Sequence, residues 1–305
     1  MKAEEVDEWV TQAFKASAEE FAALITEAKA RLREELGSRK GGGLVRIDPH
    51  TVRSMVVIGD LHGDLDSLMQ ILKQREVLNA DRIIFLGDYG DRGDESVAIY
   101  YVVLSLKLSA DIGERVVLLR GNHEGPPDML FRPHELPYLF VQRFGEQGKE
   151  LYRATKGLWS YLPYAVLVTG RYMMVHGGVP CGLSSLDEIA HAHETHPETS
   201  TLKELLWNDP IEGNGCFESV RGAGLLFGKN VTSAFLKMAG VKTVIRSHEQ
   251  CEGVEVRHDG KVLTVFSRKG APYYNTKAAY LFLDERMLRE AKDANELAQR
   301  AARVW

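Results

Sequence analysis

The sequence predicts an α/β fold in which a largely parallel sheet is covered by helices and a second sheet is built from hairpins. Two observations predict it. From Ser54 onward, short runs of Val, Ile and Leu alternate with amphipathic stretches, as buried parallel strands alternate with crossover helices. The runs also end in small clusters of Asp, His, Asn or Gly that core packing does not require. The chain has 305 residues, 44% hydrophobic and 27% charged, enough for a sizeable core in one large domain or two small ones.

In chain order, residues 2–38 are rich in Ala, Glu, Lys and Leu, with Val6, Trp9, Val10 and Phe14, then Phe21, Leu24, Ile25 and Ala28, at helical spacing. This predicts one or two amphipathic helices. The run from Gly37 to Gly43 breaks helical order because consecutive glycines carry a large entropic cost in any regular element. It reads as a linker. Strands are predicted over Met55 to Ile58, Arg82 to Leu86 and Arg115 to Leu119, with helical faces at Leu65 to Leu72 and Val97 to Leu108 between them. That is the strand-helix-strand pattern of a parallel sheet. A helical insertion runs from Pro126 to Lys156. Two hairpins follow, 165–168 with 172–175 and 254–256 with 262–266, and predict a second, more antiparallel sheet. Residues 286–304 are charged and Ala-rich and read as a surface helix. The division is therefore 1–44 for the helical extension and linker, 45–285 for the main domain and 286–305 for the tail.

A net charge of −5 argues against a protein that binds nucleic acid by neutralising phosphates. Cys181, Cys216 and Cys251, spaced 35 residues apart, fit neither a disulfide framework nor a Cys-x-x-Cys knuckle, and predict a reducing cytoplasm. The N-terminus has acidic residues where a secretory signal needs basic ones, and no apolar run approaches membrane-spanning length.

The polar clusters carry the chemistry. Val56 to Ile58 leads to Asp60 and His62, Ile84 to Leu86 leads to Asp88, Asp91 and Arg92, and Val117 to Leu119 leads to Asn122, His123 and Glu124. Met173 to Val175 leads to His176, and Val244-Ile245 leads to His248. Ligands of open α/β sheets bind beyond the carboxyl ends of strands, so these clusters converge on one crevice. Any one of them alone reads as a turn. Five together leave four histidines at strand ends without a structural cause. Carboxylate, imidazole and carboxamide are ligands for Mn, Fe or Zn rather than for thiophilic ions. Six such groups exceed the needs of one catalytic ion and suit two ions bridged by a carboxylate, for which Asp88, in the middle cluster, is the choice.

Residues 59–63, 87–93, 121–124 and 176–178 resemble, in that order, the signature blocks of the phosphoprotein phosphatase family of calcineurin-like metallophosphoesterases, and the resemblance extends from about Ser54 to Asp284. It includes Leu206 to Pro210 and Arg221-Gly222. The resemblance implies two sheets sandwiched between helices (αββα) and a protein serine/threonine phosphatase acting on phosphoproteins. It implies two divalent metal ions, manganese first with iron or zinc as alternatives, and a metal-bridging water as nucleophile. Asp60, His62 and Asp88 would hold one ion, and Asp88, Asn122, His176 and His248 the other. His123 would be the general acid, oriented and kept protonated by Asp91, while Arg92 and Arg221 would clamp the phosphate.

Two features depart from the family. Gly125-Pro126-Pro127 stand where many eukaryotic members have a further arginine, and Ser267 to Tyr274 replace the family's Ser-Ala-Pro-Asn-Tyr loop, with Arg268 and Lys269 as candidate replacement cations. A dinucleoside polyphosphate hydrolase is the alternative function, against which Glu124 and Gly177 speak; a catalytically silent scaffold is a third, and none of His123, Asp91 or the arginines is missing. His191, His193 and His196 read as a solvated loop rather than a second metal site. Phe131, Leu136, Tyr138, Leu139 and Phe140 read as core packing rather than a lid.

Overall fold

The computed structural model describes residues 3–39, 41–129 and 131–305. Met1, Lys2, Lys40 of the glycine-rich stretch and Leu130 of the insertion lie outside them. One sheet has six strands in the order β1 (Leu44–Ile47), β5 (Ala165–Val168), β6 (Tyr172–Val175), β10 (Thr243–Arg246), β12 (Val262–Val265) and β11 (Val254–Arg257). A five-stranded sheet runs β14 (Ala302–Val304), β13 (Ala279–Asp284), β2 (Ser54–Ile58), β3 (Arg82–Phe85) and β4 (Val116–Leu118). A small sheet joins β7 (Asp209–Pro210), β9 (Leu225–Phe227) and β8 (Cys216–Glu218).

Alternation along the strands builds the layers. In β2, Met55 and Val57 face the core between the two large sheets, together with Ile84, Val166, Met174, Ile245, Leu263 and Leu281. Val56 and Ile58 face the opposite side, where Leu68, Ile71, Val102 and Val103 of the helices Leu65–Leu72 and Ser96–Leu108 cover them. A third core, with Leu167, Met173 and Val244, lies beneath the helices Thr201–Trp207 and Lys229–Ala239. The result is the helix, sheet, sheet, helix order that the resemblance implied. Both faces of β2 and β3 are buried, which is why these strands read as continuous apolar runs.

The N-terminal helices Ala3–Lys15 and Ala18–Ser38 bury Val6, Ala13, Phe21, Ile25, Ala28 and Leu32 in the same core as Val56 and Ile58. Ser17 starts the second helix with a reciprocal capping box to Glu20, satisfying two amide donors that the first turn leaves without partners.

Three expectations change. The second sheet is mixed: its β5–β6 and β11–β12 pairs are antiparallel, but β1–β5, β6–β10 and β10–β12 are parallel. The C-terminal segment is not a single surface helix. It forms the short helices Glu285–Glu290 and Ala294–Arg300 and then β14, which pairs with β13, because Leu288, Ala294 and Leu297 bury against the inter-sheet core. The cysteines are not all free: Cys181 and Cys216 form a disulfide with Cα atoms 6.5 Å apart, and Cys251 is free. Their spacing of 35 residues carried no sign of this, because the fold alone brings the chain after β6 to the edge of the small sheet. The cysteine argument for a reducing compartment therefore lapses. Among the described residues no helix is long and apolar enough to cross a membrane.

The disulfide closes a loop of 35 residues, for which chain-entropy restriction of the unfolded state predicts stabilisation of roughly 2–4 kcal/mol. Replacing both cysteines by serine should lower the unfolding free energy in urea by that order. An unchanged midpoint with and without reductant would show that the pair is not formed in solution.

Candidate metal centre

Strand register sets out the site. Ile58 pairs with Phe85 and Phe85 with Leu118 in parallel, so β2, β3 and β4 end in one row. Asp60, Asp88 and Asn122 follow within four residues of those ends. His176 and His248 arrive from β6 and β10, whose parallel pairing sets Met174 beside Ile245. All six predicted metal ligands are buried, and the fold brings all six together.

Asp88 lies between the two halves. Its Oδ2 is 3.3 Å from His62 Nε2, and its Oδ1 is 3.4 Å from His176 Nε2. Asp60 Oδ2 is 3.5 Å from His62 Nε2. The Asn122 amide atom facing the cluster lies 2.9 and 3.2 Å from the Asp88 oxygens, 3.0 Å from His176 Nε2 and 3.1 Å from His248 Nδ1. With oxygen at that position, the amide, the Asp88 carboxylate and the Nε2 atoms of His62 and His176 are acceptors turned toward one another. Reversing the amide would supply one NH2 group, yet Asp60 Oδ2 and His248 Nε2 would still be buried without a partner. Cations between these atoms stabilise the whole set, so the donor set fits the divalent ions that the sequence predicts.

Atoms behind the ligands point them inward. His62 Nδ1 lies 2.9 Å from the Gly90 carbonyl and His176 Nδ1 3.0 Å from that of Leu86. Each must carry its proton on Nδ1, which leaves Nε2 free for a metal. Asp60 Oδ1 accepts from Ser247 Oγ at 2.6 Å and from the His248 amide at 3.1 Å. Burial depresses the His176 pKa to about 4, and burial also holds His248 well below its usual range. Both are therefore neutral and able to ligate at neutral pH. Burial, reinforced by Asp60 and Glu124, holds Asp88 well above the usual carboxylate range.

The backbone bends sharply around these groups. His62, Asp88, Asp91, Arg92 and His248 all have positive φ, between 42° and 69°, at a cost on the order of 1–3 kcal/mol each for non-glycine residues. Gly87 and Gly121 cross so closely that a Cβ on Gly121 would lie 2.1 Å from Asp88 Oδ1.

His123 Nδ1 lies 2.9 Å from Asp91 Oδ2, and its Nε2 faces the cluster, 3.9 Å from Asp88 Oδ2. Arg92 donates to the carbonyls of Pro133 and Arg132, and Arg221 Nε donates to Asp209 Oδ2 at 2.6 Å. Both arginines line a cavity of about 600 Å³ over the cluster, together with His123, Phe131, Arg132 and Tyr273.

Sequence reasoning missed several of these groups. Glu124 accepts from the amides of Asp88, Tyr89 and Gly121 and from the Tyr100 hydroxyl, tying two motif loops together. Asp209 holds both Arg221 and Arg246. Position within the motif blocks could have flagged Glu124 and Asp209; nothing in the sequence marks Arg132, which lines the cavity. Arg268 is no phosphate cation. It is buried, and its guanidinium donates to the carbonyls of His62, Lys269 and Ala271, bracing the His62 loop. Tyr273 stacks 5.5 Å from His62, whereas Tyr274 is exposed. In the insertion, Leu136 and Phe140 are core and Tyr138 is exposed, but Phe131 lies with its ring centroid 3.9 Å from that of His123. The imidazoles of His191, His193 and His196 bond to the Asp187 carbonyl, Arg120 and Asp128 respectively. None of them belongs to a metal-ligating group among the described residues.

Comparison with known proteins agrees with this geometry. The family profile described as calcineurin-like phosphoesterase matches residues 54–252. The chain belongs to that family. This phosphoesterase is 31% identical over 247 residues to the serine/threonine-protein phosphatase 4 catalytic subunit of Eremothecium gossypii, spanning 79% of this chain and 77% of the relative. It is 35% identical over 260 residues to a probable serine/threonine-protein phosphatase of Encephalitozoon cuniculi, spanning 82% of this chain but about half, 54%, of that relative. It therefore stands with the serine/threonine protein phosphatases within the family. Its fold overlies that of a Saccharomyces cerevisiae protein serine/threonine phosphatase with similarity to human phosphatase PP5, at a TM-score of 0.77 and 23% identity over 94% of this chain and 89% of the other. A cold-active protein-tyrosine phosphatase of a psychrophilic Shewanella shares the fold at a TM-score of 0.57 and 18% identity, over 79% and 77% of the two chains.

Metal uptake should release a proton. Burial, reinforced by Asp60 and Glu124, raises the Asp88 pKa in the absence of a cation, whereas a bridging role would require its carboxylate, so apparent affinity should rise with pH. Calorimetric titration with Mn2+ in two buffers of different ionisation enthalpy should report net proton release that grows as the pH is lowered, and Asp88→Asn should lessen it. Proton-neutral binding at every pH tested would show that Asp88 gives up no proton to the metal.

Proposed function

We propose that this phosphoesterase hydrolyses phosphoserine and phosphothreonine monoesters on proteins, with Arg92 and Arg221 binding the phosphate and His123, oriented by Asp91, protonating the leaving oxygen. The observation that carries this reading is the His123–Asp91 pair, standing beside the ligand cluster and on the wall of the cavity that both arginines line. Divalent ions bound by Asp60, His62, Asp88, Asn122, His176 and His248, with manganese the first candidate and iron or zinc next, would lower the pKa of bound water and neutralise phosphoryl charge.

The protein's own groups then divide the remaining tasks. Arg221 is held at Nε by Asp209, a bond that leaves its terminal nitrogens for a phosphate; Arg92 is held by two carbonyls, and both residues line the cavity. Two fixed guanidinium groups orient three phosphoryl oxygens better than flexible ammonium groups would. Burial pushes the His123 pKa down to about 3, with the Asp91 hydrogen bond pulling the other way. Asp91 alone therefore does not keep the empty site's imidazole charged; it fixes the Nδ1 proton and aims Nε2. A phosphate dianion placed before Nε2 adds the missing negative charge, so the acid acquires its proton together with the substrate. As Nε2 gives that proton to the departing serine or threonine oxygen, Asp91 stabilises the charge on the ring until then.

The protein-phosphatase relatives support protein substrates over the dinucleoside polyphosphate alternative, in line with Glu124 and Gly177. After dialysis against chelator, activity should return with Mn2+, Fe2+ or Zn2+ more than with Mg2+, and on phosphoserine and phosphothreonine peptides. His123→Asn should lower kcat on those peptides by about 10²–10⁴-fold, and Arg221→Lys should mainly raise KM. Activity confined to a dinucleoside polyphosphate would overturn the reading, and parallel phosphotyrosine assays define how far it extends.

A further inference from the structure

Asp91 serves two imidazoles. His123 Nδ1 lies 2.9 Å from Oδ2, and His134 Nδ1 lies 3.1 Å from both Oδ1 and Oδ2. The Leu136 amide donates to Oδ1 at 2.8 Å. On the far side, His134 Nε2 is 2.8 Å from the Tyr152 hydroxyl, on the helix Gln147–Lys156. Asp91 is buried and His134 is partly exposed.

The proton positions follow from the partners. Although burial pushes Asp91 upward, the hydrogen bonds from His123 and His134 outweigh it and hold the carboxyl below its usual range. It is therefore an acceptor only, and both Nδ1 atoms facing it must be N–H. Burial and the nearby Asp91 raise Tyr152 to about 12, so the phenol keeps its hydrogen and stays hydrogen-bonded to His134 Nε2. The order is Tyr152 to His134 to Asp91, with His123 donating from the catalytic side. A carboxylate held at both oxygens by three donors cannot rotate, and its orientation is what aims His123.

The same short segment reaches the rest of the acid machinery. Phe131 packs between His123 and His134, with ring centroids 3.9 and 4.7 Å away. The carbonyls of Arg132 and Pro133 hold the Arg92 guanidinium, and Glu135 accepts from the Arg92 amide. Residues 131–136 thus brace the acid and one phosphate cation together.

Resting on the His123–Asp91 acid pair proposed above, we propose that His134 is a positioning residue for proton donation: through Asp91 it fixes the orientation of His123, with Tyr152 fixing His134 in turn. It touches neither substrate nor metal ligand, so its effect should depend on how much the leaving group needs a proton. A serine alkoxide needs one. The nitrophenolate of para-nitrophenyl phosphate is a stable anion and departs without it.

The test measures kcat and KM of Mn2+-restored enzyme on a phosphoserine peptide and on para-nitrophenyl phosphate for His134→Phe, His134→Asn, Tyr152→Phe and Asp91→Asn. His134→Phe should lose about 10-fold or more in kcat on the peptide, with KM and the nitrophenyl reaction changed by less than about 2-fold. His134→Asn, whose amide NH2 can replace the Nδ1 donor, should recover most of that loss, and Tyr152→Phe should show a smaller loss of the same kind. Thermal unfolding midpoints establish that each variant is folded, and if His134→Phe is not, Tyr152→Phe carries the comparison. Equal losses on both substrates would mean a structural role only and overturn the proposal. So would an unaffected His134→Phe beside an Asp91→Asn that shows the split, in which case the acid pair stands without His134. If Asp91→Asn itself shows no split, the acid-pair reading fails and His134 with it.

Discussion

Buried acceptors that face one another at about 3 Å repel, and the strand ends of this protein gather six ligand residues in that arrangement. Asp88 meets His62 on one side and His176 on the other, while Asp60 Oδ2 and His248 Nε2 have no hydrogen-bond partner among the described residues. The free energy of such a cluster is unfavourable without positive charge between its members, because each buried polar atom forfeits water and gains no hydrogen. Much of the surrounding structure follows from holding these atoms in place. Backbone carbonyls of Gly90 and Leu86 fix two imidazole tautomers. Ser247 and Glu124 anchor the loops on which Asp60 and Asp88 sit.

The backbone carries part of the cost. Five site residues other than glycine occupy left-handed conformations, which an isolated turn would avoid. They persist because both large sheets are rigid and buried on both faces, so the loops between strand ends and helices are over-determined. Gly87 and Gly121 remove the side chains that would separate those loops. Strain at the site and packing beneath it are thus one arrangement: the apolar strands supply the stability that the polar ends spend.

The groups around the ligand cluster depend on segments far from it in sequence. Asp209 anchors Arg221 from the small sheet, which the disulfide ties to the chain after β6. Residues 131–136 anchor Arg92 and Asp91. The helices at the N-terminus pack on the helix Ser96–Leu108 in the core that backs β2 and β3, so they support the rows from which Asp60 and Asp88 project. A charged segment that reads as a peripheral tail supplies β14 to the same sheet.

The sequence by itself determined the α/β character, most strands of both large sheets and the six candidate ligand residues that the fold brings together. The reason is that buried parallel strands require unbroken apolar runs, so each polar residue immediately after one stands out against its surroundings. The central position of Asp88, between His62 and His176, was legible from its place in the middle cluster. What only the tertiary structure decided are pairings that no local pattern signals: Cys181 with Cys216, Asp209 with Arg221, and His134 with Asp91. Each pairs side chains 12 to 43 residues apart, and neither partner's neighbours announce the meeting. Arg268 shows the same limit from the other side, since its charge suggested phosphate while its burial gave it to the His62 carbonyl. Periodicity encodes burial along one element; the approach of two loops is set by how sheets stack, and that is a property of the folded chain alone.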